Sequence, residues 1–75
     1  MYIDPDIKVP EQIEKLRPYV TKEIKILEDA YEVDDGVTYL LHEDSVMGYI
    51  KQCADDRVIS EHELDLLFKK FGWRV

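Results

Sequence analysis

The chain has 75 residues, of which 45% are hydrophobic and 36% charged, and its formal net charge at pH 7 is −7. A chain of this length holds one hydrophobic core, which excludes a second domain, and its apolar content favours folding over disorder. With Cys53 as the single cysteine, no intramolecular disulfide can form. No segment has the pattern of a secretion signal or the roughly 18 apolar residues of a membrane span. We therefore expect a cytoplasmic protein without a membrane partner.

The acidic residues are concentrated in the middle of the chain. Residues 1–27 contain five acidic and five basic residues, whereas residues 28–66 contain twelve acidic and only two basic residues. A field of this sign repels phosphate groups, so we expect no direct binding to nucleic acid. It favours a basic partner instead.

The first nine residues lack apolar periodicity and contain Pro5. They predict an extended N-terminal arm over 1–9, followed by a single helical domain over 10–75. Pro10 is typical of a first helical position, because its missing N–H would be unpaired there anyway. A helix is therefore predicted to begin at Pro10.

Apolar residues then recur at steps of three or four from Ile13 to Tyr31, which is typical of one helix face. Pro18 interrupts this pattern, so we predict a short helix followed by a longer one. A β-hairpin over residues 22–40 is the alternative, because Asp35-Gly36 is a common hairpin turn. The helix formers between residues 22 and 30 favour the helix.

The segment Val37–Leu41 is β-branched and aromatic, which predicts a short strand. A second amphipathic helix is then expected from Asp44 or Ser45 to about Ala54. A third helix is the most clearly marked, because Ser60 and Glu63 have the spacing of a capping box.

The third helix is expected to bury four side chains and to end at Gly72 in a left-handed conformation. Those four are Leu64, Leu67, Phe68 and Phe71.

Two similar tetrapeptides lie 21 residues apart, beginning at Asp34 and Asp55. If each leads into a strand, Val37–Tyr39 and Val58–Ser60 would pair. The predicted fold is therefore mainly α: a bundle of three to four helices with a short two-stranded β-ribbon. Its order, helix–strand–helix–strand–helix, resembles an EF-hand pair without functional loops.

Residues 55–63 resemble the later half of an EF-hand loop that would begin at Gln52, and Asp56, Ser60 and Glu63 match its ligand positions. Gln52 and Ala54 stand where the first and third oxygen ligands belong. Because these ligands are missing, we expect no metal site. A degenerate EF-hand-like cation-binding domain using Asp56, Ser60 and Glu63 is the alternative.

Residues with catalytic potential are few and have no recognisable spacing. The chain has no glycine-rich phosphate loop, and His42 and His62 lack a metal-ligand pattern. Cys53 falls on the same helical stripe as Val46 and Ile50, which favours a core position. We therefore expect no catalytic residue, no cofactor and no enzymatic activity.

These observations favour a small acidic interaction or regulatory module that docks on a basic protein surface. A nucleic-acid mimic or inhibitor, which presents spaced carboxylates to its target, is a special case. The expected contact residues are the acidic side chains Glu28, Asp29, Glu32, Asp34, Asp35, Glu43, Asp44, Asp55, Asp56, Glu61 and Asp65.

Overall fold

A computed structural model describes residues 1–74, which form three α-helices and no strand. They are α1, Pro18–Glu32; α2, Gly36–Asp55; and α3, Glu61–Phe71. The central helix α2 packs against both α1 and α3. The expectation of a mainly α fold is confirmed, and the predicted β-ribbon is wrong. None of these helices combines the length and apolar character that crossing a bilayer requires.

The first predicted strand is part of α2 because Asp35 caps that helix. Its carboxylate accepts hydrogen bonds from the backbone N–H of Thr38 at 3.1 Å and from the Thr38 hydroxyl at 2.6 Å. This cap starts the helix at Gly36, well before Asp44, so Val37–Tyr39 is helical. The local β propensity is overridden. The alternative hairpin over residues 22–40 is also wrong, because α1 covers its first half.

The second predicted strand, Val58–Ser60, lies in the turn between α2 and α3. The backbone N–H of Val58 donates to the carbonyl of Cys53 at 2.8 Å, and Arg57 has a positive φ of 60°. This hydrogen bond and the positive φ of Arg57 form a turn at the end of α2, so residues 58–60 do not pair as a strand. Ser60 then caps α3, and its capping box with Glu63 is confirmed.

The predicted helix start at Pro10 is also wrong, since residues 10–17 form turns. The longer helix begins at Pro18, and Arg17 before it is extended with ψ of 142°. Proline disfavours the α conformation in the residue before it, which explains the break. Ile13 and Leu16 are nevertheless buried, so the apolar pattern identified core residues outside a helix.

The core lies where the three helices and residues 7–16 meet. Cys53 is fully buried among apolar side chains, which confirms its predicted core position. Gly72 ends α3 with a φ of 69°, as predicted, and Trp73 folds back to stack on Phe71 at 4.6 Å between ring centroids. The largest fully buried side chains include Ile13, Ile24, Leu27, Tyr39, Ile50, Leu67 and Phe68.

The N-terminal segment packs against the end of α3. The backbone N–H of Asp4 donates to the carbonyl of Lys70 at 2.7 Å, and the Lys70 ammonium donates to the carbonyl of Ile7. The side chain of Ile7 is buried. These contacts, made across more than sixty residues of sequence, hold the two ends of the described chain together.

Candidate interaction surface

Four large apolar side chains that lie close together in sequence, where α1 leads into α2, are exposed. Val33, Val37, Leu40 and Leu41 are each 68–74% exposed, and we call them the apolar patch. At 100° of rotation per residue, Val37 and Leu41 lie on the side of α2 opposite its buried residues. Clustered exposed apolar side chains of this kind mark interaction sites more often than isolated ones do.

The sequence analysis does not predict the patch, because a strand over Val37–Leu41 would orient these side chains differently. In a strand, Val37, Tyr39 and Leu41 share a face, and burial of Tyr39 would bury the other two. The available signal was Asp35, whose spacing to Thr38 fits an N-cap. A helix begun at Gly36 places Tyr39 and Val46 inside and Leu41 outside.

Gly48 continues the outward face of α2 beyond the patch. It lies seven residues after Leu41, which is two helical turns along the same face. A Cβ atom built on Gly48 would meet nothing within 4 Å apart from its chain neighbours and the backbone of its own helix. The face therefore becomes flat and unobstructed there.

Three of the expected contact acids border the apolar patch, and we call Glu32, Asp34 and Asp44 the patch-side acids. Glu32 and Asp34 flank Val33 in sequence. Asp44 lies one helical turn after Leu40 and Leu41, on the same face of α2. All three are exposed and have no side-chain hydrogen bond or ion pair with any residue from 1 to 74.

Three further expected acids are exposed and similarly unpaired among the described residues, but they lie elsewhere. We call Asp55, Glu61 and Asp65 the remote acids, because they lie at the far end of α2 and on α3.

The other five expected acids have partners within the fold. Asp35 caps α2, and the hydrogen bond from the Thr38 hydroxyl holds the pKa of Asp35 below its usual range. Asp56 accepts a hydrogen bond from the Arg17 guanidinium at 2.8 Å, which lowers the pKa of Asp56 and raises that of Arg17. These carboxylates stabilise the native chain, so they are poorly suited to exchange partners.

The remaining three pair with an amine or an indole. Glu28 lies 3.2 Å from the Lys70 ammonium, and Glu43 accepts a hydrogen bond from the Trp73 indole at 2.9 Å. Asp29 pairs with Lys25 at 3.6 Å on the exposed side of α1. The Glu28 and Glu43 contacts each join one helix to a residue near the end of the described chain, whereas the Asp29 pair lies within α1.

A groove of about 420 Å³ lies between the N-terminal segment and the helices α1 and α3. Ile3, Pro5 and Tyr31 contribute apolar walls, and the Glu28–Lys70 pair lies among its lining residues. These two charges satisfy each other, and the other charged side chains that line the groove, Lys8, Glu11 and Glu32, are exposed to solvent. Among the described residues the groove therefore offers no buried unpaired polar side chain to fix a ligand.

The residues of the alternative cation site are occupied by contacts within the fold. Asp56 is held by Arg17, while Ser60 and Glu63 bond to each other in the capping box. Across residues 1–74, no three His, Cys, Asp or Glu side chains converge as a metal cage would.

The histidines and the cysteine are not brought together. His42 contacts Glu23 at 3.2 Å, His62 is exposed on α3, and Cys53 is in the core. Comparison with protein-family models, curated proteins and solved structures finds no match to this chain. Function is therefore inferred from the chemistry of the surface, where the apolar patch and the patch-side acids are the most distinctive combination.

Proposed function

We propose that this chain is a non-enzymatic interaction module that docks on a basic surface of another protein. The supporting observation is that the patch-side acids, which have no partner among the described residues, border an exposed apolar patch. Interfaces commonly combine an apolar centre with a polar, solvent-accessible rim. The apolar patch provides such a centre, and the patch-side acids provide such a rim.

The two parts contribute differently to association. Burial of the apolar patch supplies affinity, because about 25 cal/mol is gained per Å² of apolar surface removed from water. The acidic rim, in a chain of net charge −7, attracts basic surfaces and repels acidic ones. The module therefore selects its partner by charge and holds it through apolar contact.

The apolar patch and the patch-side acids suit an ordinary protein surface better than the nucleic-acid-binding groove of a target protein, which a mimic would occupy. A mimic presents spaced carboxylates, whereas valine and leucine side chains separate the acids here. The unpaired, buried Cys53 thiol is compatible with a reducing cytoplasm, which we propose as the location.

Two triple variants with the same net charge test the proposal. E32Q/D34N/D44N removes the patch-side acids, and D55N/E61Q/D65N removes the remote acids, so each changes the net charge from −7 to −4. Immobilised wild-type chain and remote-acid variant should capture a basic protein from source lysate at about 50 mM salt and lose it at about 500 mM. The patch-side variant should capture much less.

Two results would contradict the proposal. One is capture of no protein by the wild-type chain at either salt concentration. The other is equal loss of capture in both triple variants, which would indicate attraction by net charge alone rather than by the patch-side acids.

A further inference from the structure

We propose that the partner segment seated on the apolar patch is a basic amphipathic helix, lying along the outward face of α2. This inference rests on the proposed function and names the kind of partner. It depends on three features of the described residues: the size of the patch, the sign of its border and the shape of the helix face beyond it.

The size and charge of the patch argue against a second copy of this chain as the occupant. Four side chains about 70% exposed present on the order of 400 Å² of apolar surface, about half of what one partner contributes to a standard interface. A symmetric pair would also bring the patch-side acids of two copies together, and like charges repel. An occupant of opposite charge has no such penalty.

The shape of the surface favours a helix. Val37, Leu41, Asp44 and Gly48 follow one another at steps of four, three and four, so they form a line along α2. This line is about 16 Å long, the length of three helical turns. A partner helix of that length fits the line.

Gly48 would let such a helix approach closely at one end. Apart from its chain neighbours and the backbone of its own helix, nothing in the described chain lies within 4 Å of its Cβ position, although a glycine inside a helix is unfavourable. Leucines on the partner would meet Leu40 and Leu41, while its lysines or arginines would reach Asp34 and Asp44. Basic residues flanking an apolar stripe are therefore the expected sequence pattern of the partner.

The test uses three synthetic peptides of about 18 residues with the full chain. The first places leucine and lysine in a helical period, the second alternates the same residues, and the third replaces lysine with glutamate in the helical arrangement. At about 50 mM salt the first should bind at least tenfold more tightly than either other, measured by fluorescence anisotropy. Amide chemical shifts should change mainly at residues 33–48.

Variants locate the binding site. L40Q/L41Q should weaken the first peptide at least tenfold, equivalent to about 1.4 kcal/mol, whereas Tyr19→Gln, an exposed change on α1, should not. All three positions are exposed, and circular dichroism checks that each variant folds. Equal affinity of L40Q/L41Q and wild type, or equal binding of the alternating peptide, would overturn the inference.

The two proposals fail separately. If capture from lysate depends on the patch-side acids while L40Q/L41Q leaves peptide affinity unchanged, the interaction module stands and the helical partner is wrong. If the helical peptide binds at the patch but lysate yields no partner, the proposed function is wrong.

Discussion

The ammonium group of Lys70 lies 3.2 Å from the carboxylate of Glu28, although only 1% of Lys70 is exposed to solvent. The same ammonium donates a hydrogen bond to the carbonyl of Ile7. One buried cation therefore joins α1, α3 and the N-terminal segment. Its contribution to stability depends on both acceptors, because a buried charge without partners is strongly unfavourable.

Removing either member of this pair should destabilise the fold. Glu28→Gln should lower the free energy of unfolding by about 1–2 kcal/mol, a reduced value because the Glu28 side chain is one-third exposed. Lys70→Ala should lower it by about 3 kcal/mol, since a buried stem is also lost. Urea unfolding measures both.

The exposed pair between Lys25 and Asp29 provides a control for the buried one. Asp29→Asn should change the free energy of unfolding by less than about 0.5 kcal/mol. If Glu28→Gln unfolds at the same urea concentration as Asp29→Asn, the Lys70 ion pair is not stabilising.

The Tyr39 hydroxyl should ionise at a higher pH than an ordinary phenol. Its hydroxyl donates to the carbonyl of Tyr2 at 3.0 Å, and burial raises the pKa of Tyr39 to about 12. Because the folded pKa exceeds the unfolded value of about 10, the stability contribution is complete below about pH 10 and is lost as the pH rises through about 12. Absorbance near 295 nm should show one of the five tyrosines ionising only at that pH.

Tyr39→Phe identifies the late step. It should remove that ionisation and lower the free energy of unfolding by about 1 kcal/mol, the usual contribution of one hydrogen bond. If the titration curve of Tyr39→Phe superimposes on that of wild type, a tyrosine other than Tyr39 has the raised pKa.

The Arg17–Asp56 pair should contribute to stability only above strongly acidic pH. The Arg17 hydrogen bond lowers the pKa of Asp56, so the contribution is present above the unfolded value of about 3.9 and is lost as the pH falls through the folded value. The melting temperature of Asp56→Asn should therefore lie below that of wild type at pH 7. The difference should close as the pH falls below the folded pKa of Asp56.

The neighbouring Asp55 is exposed and lacks a side-chain partner among the described residues, so Asp55→Asn is a matched control. Its melting temperature should follow that of wild type across this pH range. A gap between Asp56→Asn and wild type that stays constant with pH would disprove the linkage.

Two glycines should respond oppositely to alanine. Gly48→Ala should raise the melting temperature by about 4 °C, because open space surrounds its Cβ position and alanine favours the helix. Gly72→Ala should lower it, because Gly72 has a φ of 69° and its Cβ would lie 3.0 Å from the Tyr2 ring. Calorimetry compares the two. A lower melting temperature for Gly48→Ala would mean that α2 is not regular at this position.

The Cys53 thiol should be protected in the native chain. It is fully buried, so a thiol reagent should react at least a hundredfold more slowly than in denaturant. Absorbance of the released thiolate measures both rates. Rapid reaction of the native chain would show that the core opens readily around α2.

The sequence predicts α1 and α3 well because the residues that determine these helices lie within or next to them. The capping box at Ser60 and the glycine at position 72 defined α3, and the spacing of Ile24 and Leu27 identified α1. The strand prediction for Val37–Leu41 is wrong because the cap at Asp35 starts α2 before this segment and outweighs its β propensity. A single hydrogen-bonding side chain before the segment determined its structure.

The burial of Lys70 depends on residues distant in sequence and could not be predicted. Lys70 lies in the last turn of α3, where cations suit the helix dipole, and this position alone does not imply burial. The N-terminal segment covers it, because Asp4 and Ile7 bond to it from the other end of the chain. The exposure of the apolar patch depends on where α2 begins. Because the sequence analysis predicts a strand there, it does not predict the patch.

The bonds between Lys70 and the N-terminal segment also affect the order of folding. Ile7 and Lys70 are separated by 63 residues, so their contact closes a loop of nearly the whole chain. Long loops form slowly, whereas α1 and α2 are joined by a short turn and can assemble locally. During synthesis, Ile7 leaves the ribosome long before α3 exists. We therefore expect the segment around Ile7 to be synthesised before α3 and to reach its native position only after α3 has formed.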